Sequence, residues 1–210
     1  AVSSADVLLL ISVGQSAVSA SSLAVQYTNV LYMIFYGLGT GSTMLCAQYW
    51  GKKDLRAIAK VEGIALRFAL GFSILFAVPA AAIPETMMRL FTEDQELICL
   101  GGQYLRIISI SYLCWGVSEI YLSVLRSIER VRISMLLNVT ALLLNIILNA
   151  VFVFGLFGAP KMGIRGVALA TSSSRAVQLS ASLVVSAFSK DVKLQFRLMF
   201  EKSGVLLKDF

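Results

Sequence analysis

Histidine is absent from the 210 residues, and charged side chains are scarce. Without histidine, the chain lacks the usual general base of hydrolases and proteases. The three cysteines, Cys46, Cys99 and Cys114, form no CxxC pair, and each lies in or beside an apolar run. The sequence therefore indicates neither a zinc site nor a disulfide framework, and we expect a protein that is not an enzyme and holds no metal or cofactor.

The scarcity of charge accompanies a large excess of apolar side chains. Charged residues make up 14% of the chain and hydrophobic residues 58%, and the mean hydropathy is +0.81, which is typical of membrane proteins. The sequence predicts an all-α polytopic bundle of six transmembrane helices, at about 1–13, 22–50, 64–83, 98–125, 133–157 and 166–188. A span needs roughly 20 residues, so we expect the first segment to be the second half of a helix that begins upstream.

Basic residues are concentrated in alternate connections. There are four at 51–60, three at 126–132 and five in the tail at 189–210, whereas the connections at 14–19, 84–97 and 158–165 together hold three. The positive-inside rule predicts that the first three regions are cytoplasmic and that the other three connections lie outside. We expect the chain to lie in the plasma membrane. Topology and anionic lipid then explain the net charge of +6, without a nucleic-acid partner.

The fifth segment, ISMLLNVTALLLNIILNAVFVFGLF, carries three asparagines, Asn138, Asn145 and Asn149. Their spacings of seven and four residues place all three amides on one helical stripe. An amide facing hydrocarbon lacks partners, so the stripe must face protein or a water-filled cavity. Hydrogen bonding between helices is the alternative role for each amide, and we prefer it for Asn138, nearer the cytoplasmic end.

Four stretches resemble multidrug and toxic compound extrusion (MATE) transporters: SSADVLLLISVGQSAVSASSLAVQY, GLGTGSTMLCAQYWGKKD, GQYLRI and LLNIILNAVFVFGLFGAPKMGIRGVALAT. The resemblance covers nearly the whole chain. It implies that 1–188 is the N-terminal six-helix lobe of a two-lobe inverted-access transporter. Residues 189–210 then form an amphipathic linker at the cytoplasmic interface, or a solvated one, toward a second lobe of the same polypeptide.

The resemblance also implies an ion-coupling site. Asp6 matches an aspartate that the family uses to couple transport to H⁺ or Na⁺, while Asn145, Asn149 and Thr171 match residues facing the same cavity. A carboxylate among Leu, Val and Ile is poorly solvated, so its neutral form is favoured and proton exchange is a natural role. Some relatives have an aspartate where this chain has Asn149, which leaves the identity of the coupling ion open.

Other polar residues within the helices allow more than one interpretation. Glu119 is two turns from Arg126 and is expected to pair with it or to reach the inner interface. Arg175, in the middle of the sixth segment, is expected to pair with an acid or to line the cavity. The glycines Gly37, Gly39 and Gly41 predict close helix packing rather than a phosphate loop.

The predicted function is ion-coupled antiport that exports amphipathic, often cationic, organic compounds by rocking this lobe against the second one. Four aromatic residues of the second segment could offer a surface for such cations, although packing is the simpler role for each: Tyr27, Tyr32, Phe35 and Tyr36. The alternatives are a lipid-linked saccharide flippase, a stand-alone channel or a membrane-embedded enzyme. A flippase cavity should hold several basic residues, whereas here Arg175 alone is central.

Overall fold

The computed structural model describes residues 14–155 and 162–189, which form six helices and no strand. The helices are α1 (Gln15–Gly51), α2 (Leu55–Ala82), α3 (Pro84–Arg89), α4 (Gln95–Ser127), α5 (Val131–Phe154) and α6 (Ile164–Phe188). The all-α bundle predicted from the sequence is confirmed. The first apolar segment, at 1–13, and the tail from residue 190 lie outside the described residues.

Two predicted connections are largely helical. Helix α1 begins at Gln15, so the expected loop at 14–19 is part of that helix, and α2 begins at Leu55, so the loop at 51–60 shrinks to three residues. The apolar pattern therefore marks only part of each of these two helices. The 37 residues of α1 extend about 55 Å, against a hydrocarbon core of roughly 30 Å.

Side chains and backbone at the helix ends fix these boundaries. The carboxylate of Asp54 accepts a hydrogen bond from the Ala57 N–H (3.0 Å), and that of Asp94 accepts one from the Glu96 N–H (2.9 Å), so each aspartate caps a helix N-terminus. Gly155 ends α5 with a left-handed φ of 72°. The short helix α3 was not predicted; it begins with Pro84, which suits a first helical turn.

Four helices, α1, α2, α4 and α5, are long and apolar enough to cross a membrane. Helix α4 is central, because 72% of an apolar stretch of 18 residues in it is buried, against 17% of the corresponding stretch of α5. Helix α6 has 25 residues but is more polar, and its polar stripe is buried inside the bundle; the stripe comprises Thr171, Ser174, Gln178, Ser182 and Ser186. A helix whose polar face packs on protein needs less overall hydropathy to lie in a membrane.

The two ends of the bundle have separate cores. At one end Cys46, Ile58, Leu125 and Ile128 belong to one buried cluster, which brings the α1–α2 and α4–α5 connections together. The larger cluster, which runs through the remainder of the bundle, contains Met88. The helices therefore alternate in direction, as a multi-pass membrane protein requires.

Small residues allow helices to approach closely. A Cβ on Gly39 of α1 would lie 2.6 Å from the Ser123 Oγ of α4, so a larger residue there would have to displace the Ser123 hydroxyl. On α4 the hydroxyls of Ser109, Ser111 and Ser118 donate back to carbonyls three or four residues earlier in the same helix, at 2.6–2.8 Å. These buried hydroxyls are satisfied within their own helix.

Candidate functional site

A cavity of about 500 Å³ lies between α1, α4, α5 and α6. Its volume is within the range of small-molecule sites. Aromatic side chains supply one part of its wall: Tyr32, Tyr104, Tyr112 and Trp115. Polar and charged side chains supply another: Thr28, Asn29, Ser111, Glu119, Asn138, Thr171, Ser174, Arg175 and Gln178. The cavity can therefore accept a compound with both planar apolar and polar parts.

Trp115 is the centre of an aromatic group on the cavity wall. The Tyr32 ring stacks on it with centroids 5.9 Å apart and an interplanar angle of 14°. The Phe35 ring meets it edge-on at 5.4 Å and 90°. Phe35 is fully buried, whereas Tyr32 is 42% exposed. The core thus holds Trp115 in place from behind, while Tyr32 extends a planar surface into the opening.

Arg175 joins this aromatic wall to a polar chain. Its guanidinium carbon lies 4.6 Å from the centroid of the Trp115 ring, which is a cation–π contact. Its Nη1 donates to the Gln178 Oε1 at 3.1 Å, and the Gln178 Nε2 donates to the Asn138 Oδ1 at 2.9 Å. The chain links α4, α6 and α5 across the cavity and holds the guanidinium over the ring.

A second chain of hydrogen-bonded polar side chains connects α5 and α6, nearer the C-terminal end of α5 than Asn138. The Asn145 Nδ2 donates to the Thr171 Oγ1 at 3.1 Å, and the Asn149 Nδ2 donates to the Asn145 Oδ1 at 3.2 Å. Asn145 is 1% exposed and Asn149 is fully buried. Thr171 lines the cavity, whereas the two asparagines lie behind it. The structure thus brings three of the four predicted ion-coupling residues into contact, and Asp6 lies outside the described residues.

Glu119 forms the ion pair expected from its spacing to Arg126. The Arg126 Nη2 lies 3.2 Å from the Glu119 Oε1 and donates also to the Ser123 Oγ at 2.7 Å. Glu119 lines the cavity, so its carboxylate enters the site with a compensating positive charge beside it. An ion pair of this kind is partly screened, since about a third of the Arg126 side chain is exposed.

The aromatic residues of α1 divide between core and cavity. Tyr27 is buried and its hydroxyl donates to the Phe76 carbonyl at 2.8 Å, so it packs as an ordinary core residue, as does Phe35. Tyr32 faces the cavity. Tyr36 is 62% exposed, and its ring centroid lies 6.1 Å from that of Tyr32. It is not among the residues that line the cavity.

Sequence reasoning missed Trp115 and Gln178, which are central to the site. Gln178 had a detectable signal, because Thr171, Ser174, Arg175 and Gln178 recur at the intervals of one helix face. Trp115 had none, since a tryptophan in an apolar helix is ordinary in a membrane protein. Among residues 14–155 and 162–189, no group of three His, Cys, Asp or Glu side chains could hold a metal ion.

A family model and curated relatives that match this chain are all transporters or transporter families. The MatE family model matches residues 1–151. An uncharacterised transporter, YisQ of Bacillus subtilis, is 27% identical over 93% of this chain and 43% of its own length. A probable multidrug resistance protein, YoeA of the same organism, is 27% identical over 90% of this chain and 40% of its own length. The chain therefore spans about two fifths of the length of these curated relatives.

Solved structures show the same architecture. A crystal structure of MATE in the bent conformation superposes with a TM-score of 0.85 at 22% identity, over 99% of this chain and 46% of that one. At that identity the likeness establishes the fold alone. The family model, which covers more than half of the residues, establishes kinship, and this chain belongs to the MatE family of multidrug and toxic compound extrusion transporters.

Proposed function

We propose that this chain is one lobe of a secondary transporter that exports amphipathic organic compounds in exchange for H⁺ or Na⁺. A second six-helix lobe of the same polypeptide would complete the pathway, and alternating access would rock the two lobes against each other. The bilayer and a small organic substrate are the partners that this function requires.

The observation that carries the proposal is the cavity of about 500 Å³, walled by four helices from separate parts of the chain. Its combination of aromatic planes with a few placed polar groups is typical of sites for organic molecules. The curated relative YoeA is named a probable multidrug resistance protein, which is consistent with such a substrate.

We propose that ion coupling depends on Asp6 together with the amide chain of Asn145, Asn149 and Thr171. Asn145 and Thr171 present amide and hydroxyl oxygens at a position beside the cavity. Such groups can ligate Na⁺ or hydrogen-bond a protonated carboxyl group. In this proposal Asp6 supplies the group that gains and loses charge, while Asn145, Asn149 and Thr171 position the ion or proton next to the substrate.

The test is Asp6→Asn in the full-length transporter, with Asp94→Asn as the matched control. Both substitutions remove one carboxylate and keep its size, but Asp94 is an exposed helix cap and asparagine caps equally well. Dye export by vesicles under an imposed pH or sodium gradient should fall to background for Asp6→Asn at normal abundance and remain at the parental rate for Asp94→Asn. Parental export by Asp6→Asn would remove Asp6 from the mechanism.

The orientation in the membrane is also a proposal, and it follows from the alternate basic connections. Lys53, between α1 and α2, is placed in the cytoplasm, and Glu93, before α4, is placed outside. Single cysteines at the two positions, in a background without the native cysteines, should label from opposite sides of intact cells with an impermeant maleimide. Labelling of both from the same side would refute the six-segment topology.

A lipid-linked saccharide flippase is the second candidate. Such a cavity needs several cations for a pyrophosphate group, and among the described lining residues Arg175 is the only basic one. This composition favours a smaller organic substrate over a lipid pyrophosphate.

A further inference from the structure

Asn138 lies on the cavity wall at the end of a chain of hydrogen bonds whose direction is fixed. The Arg175 Nη1 donates to the Gln178 Oε1 at 3.1 Å, and the Gln178 Nε2 donates to the Asn138 Oδ1 at 2.9 Å. An arginine side chain has N–H donors and no acceptor, whatever its other contacts. Gln178 must therefore turn its oxygen toward Arg175.

This first hydrogen bond determines the orientation of both amides. With its oxygen turned to Arg175, Gln178 turns its NH₂ group to Asn138, where that group needs an acceptor. Gln178 is 2% exposed, so water does not take the place of either partner. If oxygen and nitrogen were exchanged on either amide, two donors would face each other. One orientation of each amide is therefore compatible with the chain.

The Nδ2 group of Asn138 is left to contact a ligand. Asn138 is exposed and lines the cavity. In residues 14–155 and 162–189, the one hydrogen bond of its side chain is that which its Oδ1 accepts from Gln178. Oδ1 thus joins α5 to α6, while Nδ2 of the same amide carries two N–H donors beside the cavity. Asn138 therefore presents a fixed donor, and not an acceptor, to a molecule in the cavity.

A fixed donor discriminates between ligands by the polarity of one position. A ligand with a carbonyl or similar acceptor at that position gains a hydrogen bond. A ligand with an N–H group there brings two donors together, and a ligand with carbon there displaces water from Nδ2 without replacing it. The ring systems of all three ligands contact the same aromatic wall, which is formed by Tyr32 and Trp115.

We infer that the cavity selects planar aromatic compounds that carry a neutral hydrogen-bond acceptor, such as a carbonyl oxygen, and that the Asn138 Nδ2, oriented by Gln178, binds this acceptor. The inference rests on the proposed export function and narrows its substrate class. Asn138 is then a specificity-determining residue, and Gln178 is a positioning residue that acts through it.

Three planar tricyclic compounds of the same shape test the inference, because they differ at one position of the central ring. Fluorenone has a carbonyl group there, carbazole an N–H group and fluorene a CH₂ group. Binding to the purified full-length transporter in micelles is measured by equilibrium dialysis against protein-free micelles, which cancels partition into detergent. The parental protein should bind fluorenone about fivefold more tightly than either of the others, the effect of one neutral hydrogen bond. Equal or weaker binding of fluorenone overturns the inference.

Gln178→Glu reverses the chain without changing the residue that contacts the ligand. A carboxylate at position 178 accepts from both Arg175 and Asn138, so the Asn138 amide must turn its Nδ2 to that carboxylate and its Oδ1 to the cavity. The preference should then change from fluorenone to carbazole, by about fivefold. A preference for fluorenone that persists in this variant overturns the inference.

Asn138→Leu decides if Gln178→Glu does not fold, since position 138 is exposed. It should abolish the preference for fluorenone, and an undiminished preference overturns the inference. The matched control is Asn29→Leu on α1. Asn29 is also exposed on the cavity wall, but within the described ranges no hydrogen bond fixes its amide, which can turn either atom to a ligand. Asn29→Leu should leave the ratio of the fluorenone and carbazole affinities unchanged, and a loss of preference as large as that in Asn138→Leu overturns the assignment.

Tyr32→Ala separates the inference from the proposed function. Tyr32 belongs to the aromatic wall and not to the hydrogen-bonded chain, so its loss should weaken all three compounds alike. If no compound binds the parental protein, or if Tyr32→Ala leaves all three affinities unchanged, the cavity is not the substrate site and the proposed function fails with the inference. If Tyr32→Ala weakens all three while the parental protein does not prefer fluorenone, the site holds and only the role of Asn138 is wrong.

Discussion

The hydrogen bond between Asn145 and Thr171 permits a quantitative test of whether the amide chain holds α5 and α6 together. The two atoms are 3.1 Å apart, within the ideal range, and Asn145 is 1% exposed, so water does not compete for the bond. Hydrogen bonds between membrane helices average about 0.6 kcal/mol, with a maximum of about 1.7. The short distance and deep burial lead us to expect about 1 kcal/mol for this pair.

A double-mutant cycle of Asn145→Leu and Thr171→Val measures this energy directly. Unfolding of the full-length protein in mixed micelles should give a coupling free energy of about 1 kcal/mol for the pair. Thr140 is an exposed threonine of the same helix α5, and a parallel cycle of Asn145→Leu with Thr140→Val should give less than about 0.3 kcal/mol. A coupling with Thr171 no larger than that with Thr140 would refute the role of the bond.

The same variants distinguish a structural from a transport role for Asn145. If the amide serves only to join the helices, Asn145→Leu should lower stability while the surviving protein exports at the parental rate per molecule. If it also positions the coupled ion, export per molecule should fall and its dependence on the imposed gradient should weaken. Normalising export to folded protein, quantified by size exclusion, separates the two outcomes.

Two further substitutions test the packing. Gly166→Ala places a Cβ 2.9 Å from the Phe152 Cβ and 3.0 Å from the Phe152 carbonyl oxygen, so α6 must move away from α5. We expect the free energy of unfolding to fall by about 1–3 kcal/mol. In the control, Gly102→Ala, the new Cβ meets only ordinary contacts at 3.5 Å or more, and the melting temperature should change little. Glu62 is 1% exposed and its Oε1 accepts no hydrogen bond within the described part of the chain. Glu62→Met should therefore raise the free energy of unfolding by about 1–3 kcal/mol. The control, Glu93→Met at an exposed site, should change the free energy of unfolding by less than about 0.5 kcal/mol. Equal melting temperatures within either pair of variants would contradict the corresponding contact.

The spacing of polar residues along a helix predicted the contacts that form within that same helix. The spacing of Asn145 and Asn149 placed both amides on one face, and they are hydrogen-bonded to each other. The spacing of Glu119 and Arg126 left open an ion pair or a reach to the inner interface, and the ion pair forms. Each of these relations spans at most seven residues and is fixed by helical geometry alone.

Relations between helices could not be predicted in the same way. The bond from Gln178 to Asn138 joins residues 40 apart, and it depends on how α5 crosses α6. Gly37, Gly39 and Gly41 look equivalent in the sequence, yet a Cβ would be too close only at Gly39, the glycine that faces α4. Crossing angles arise from the packing of whole helices, so no local pattern specifies which of several small residues makes the contact.

The hydroxyl groups along α4 have a consequence for the rates of conformational change. Ser109, Ser111 and Ser118 are buried in the centre of the bundle, but each donates to a carbonyl of its own helix. These three hydroxyls therefore do not tie α4 to its neighbours, and the hydrogen bonds that do so come from other residues, such as that from the Ser73 hydroxyl of α2 to the Tyr112 carbonyl of α4 (3.1 Å). Small side chains whose hydrogen bonds stay within their own helix offer little resistance when helices slide past one another. The activation barrier for rearranging the lobe therefore comes from hydrogen bonds between different helices, such as that from Gln178 to Asn138.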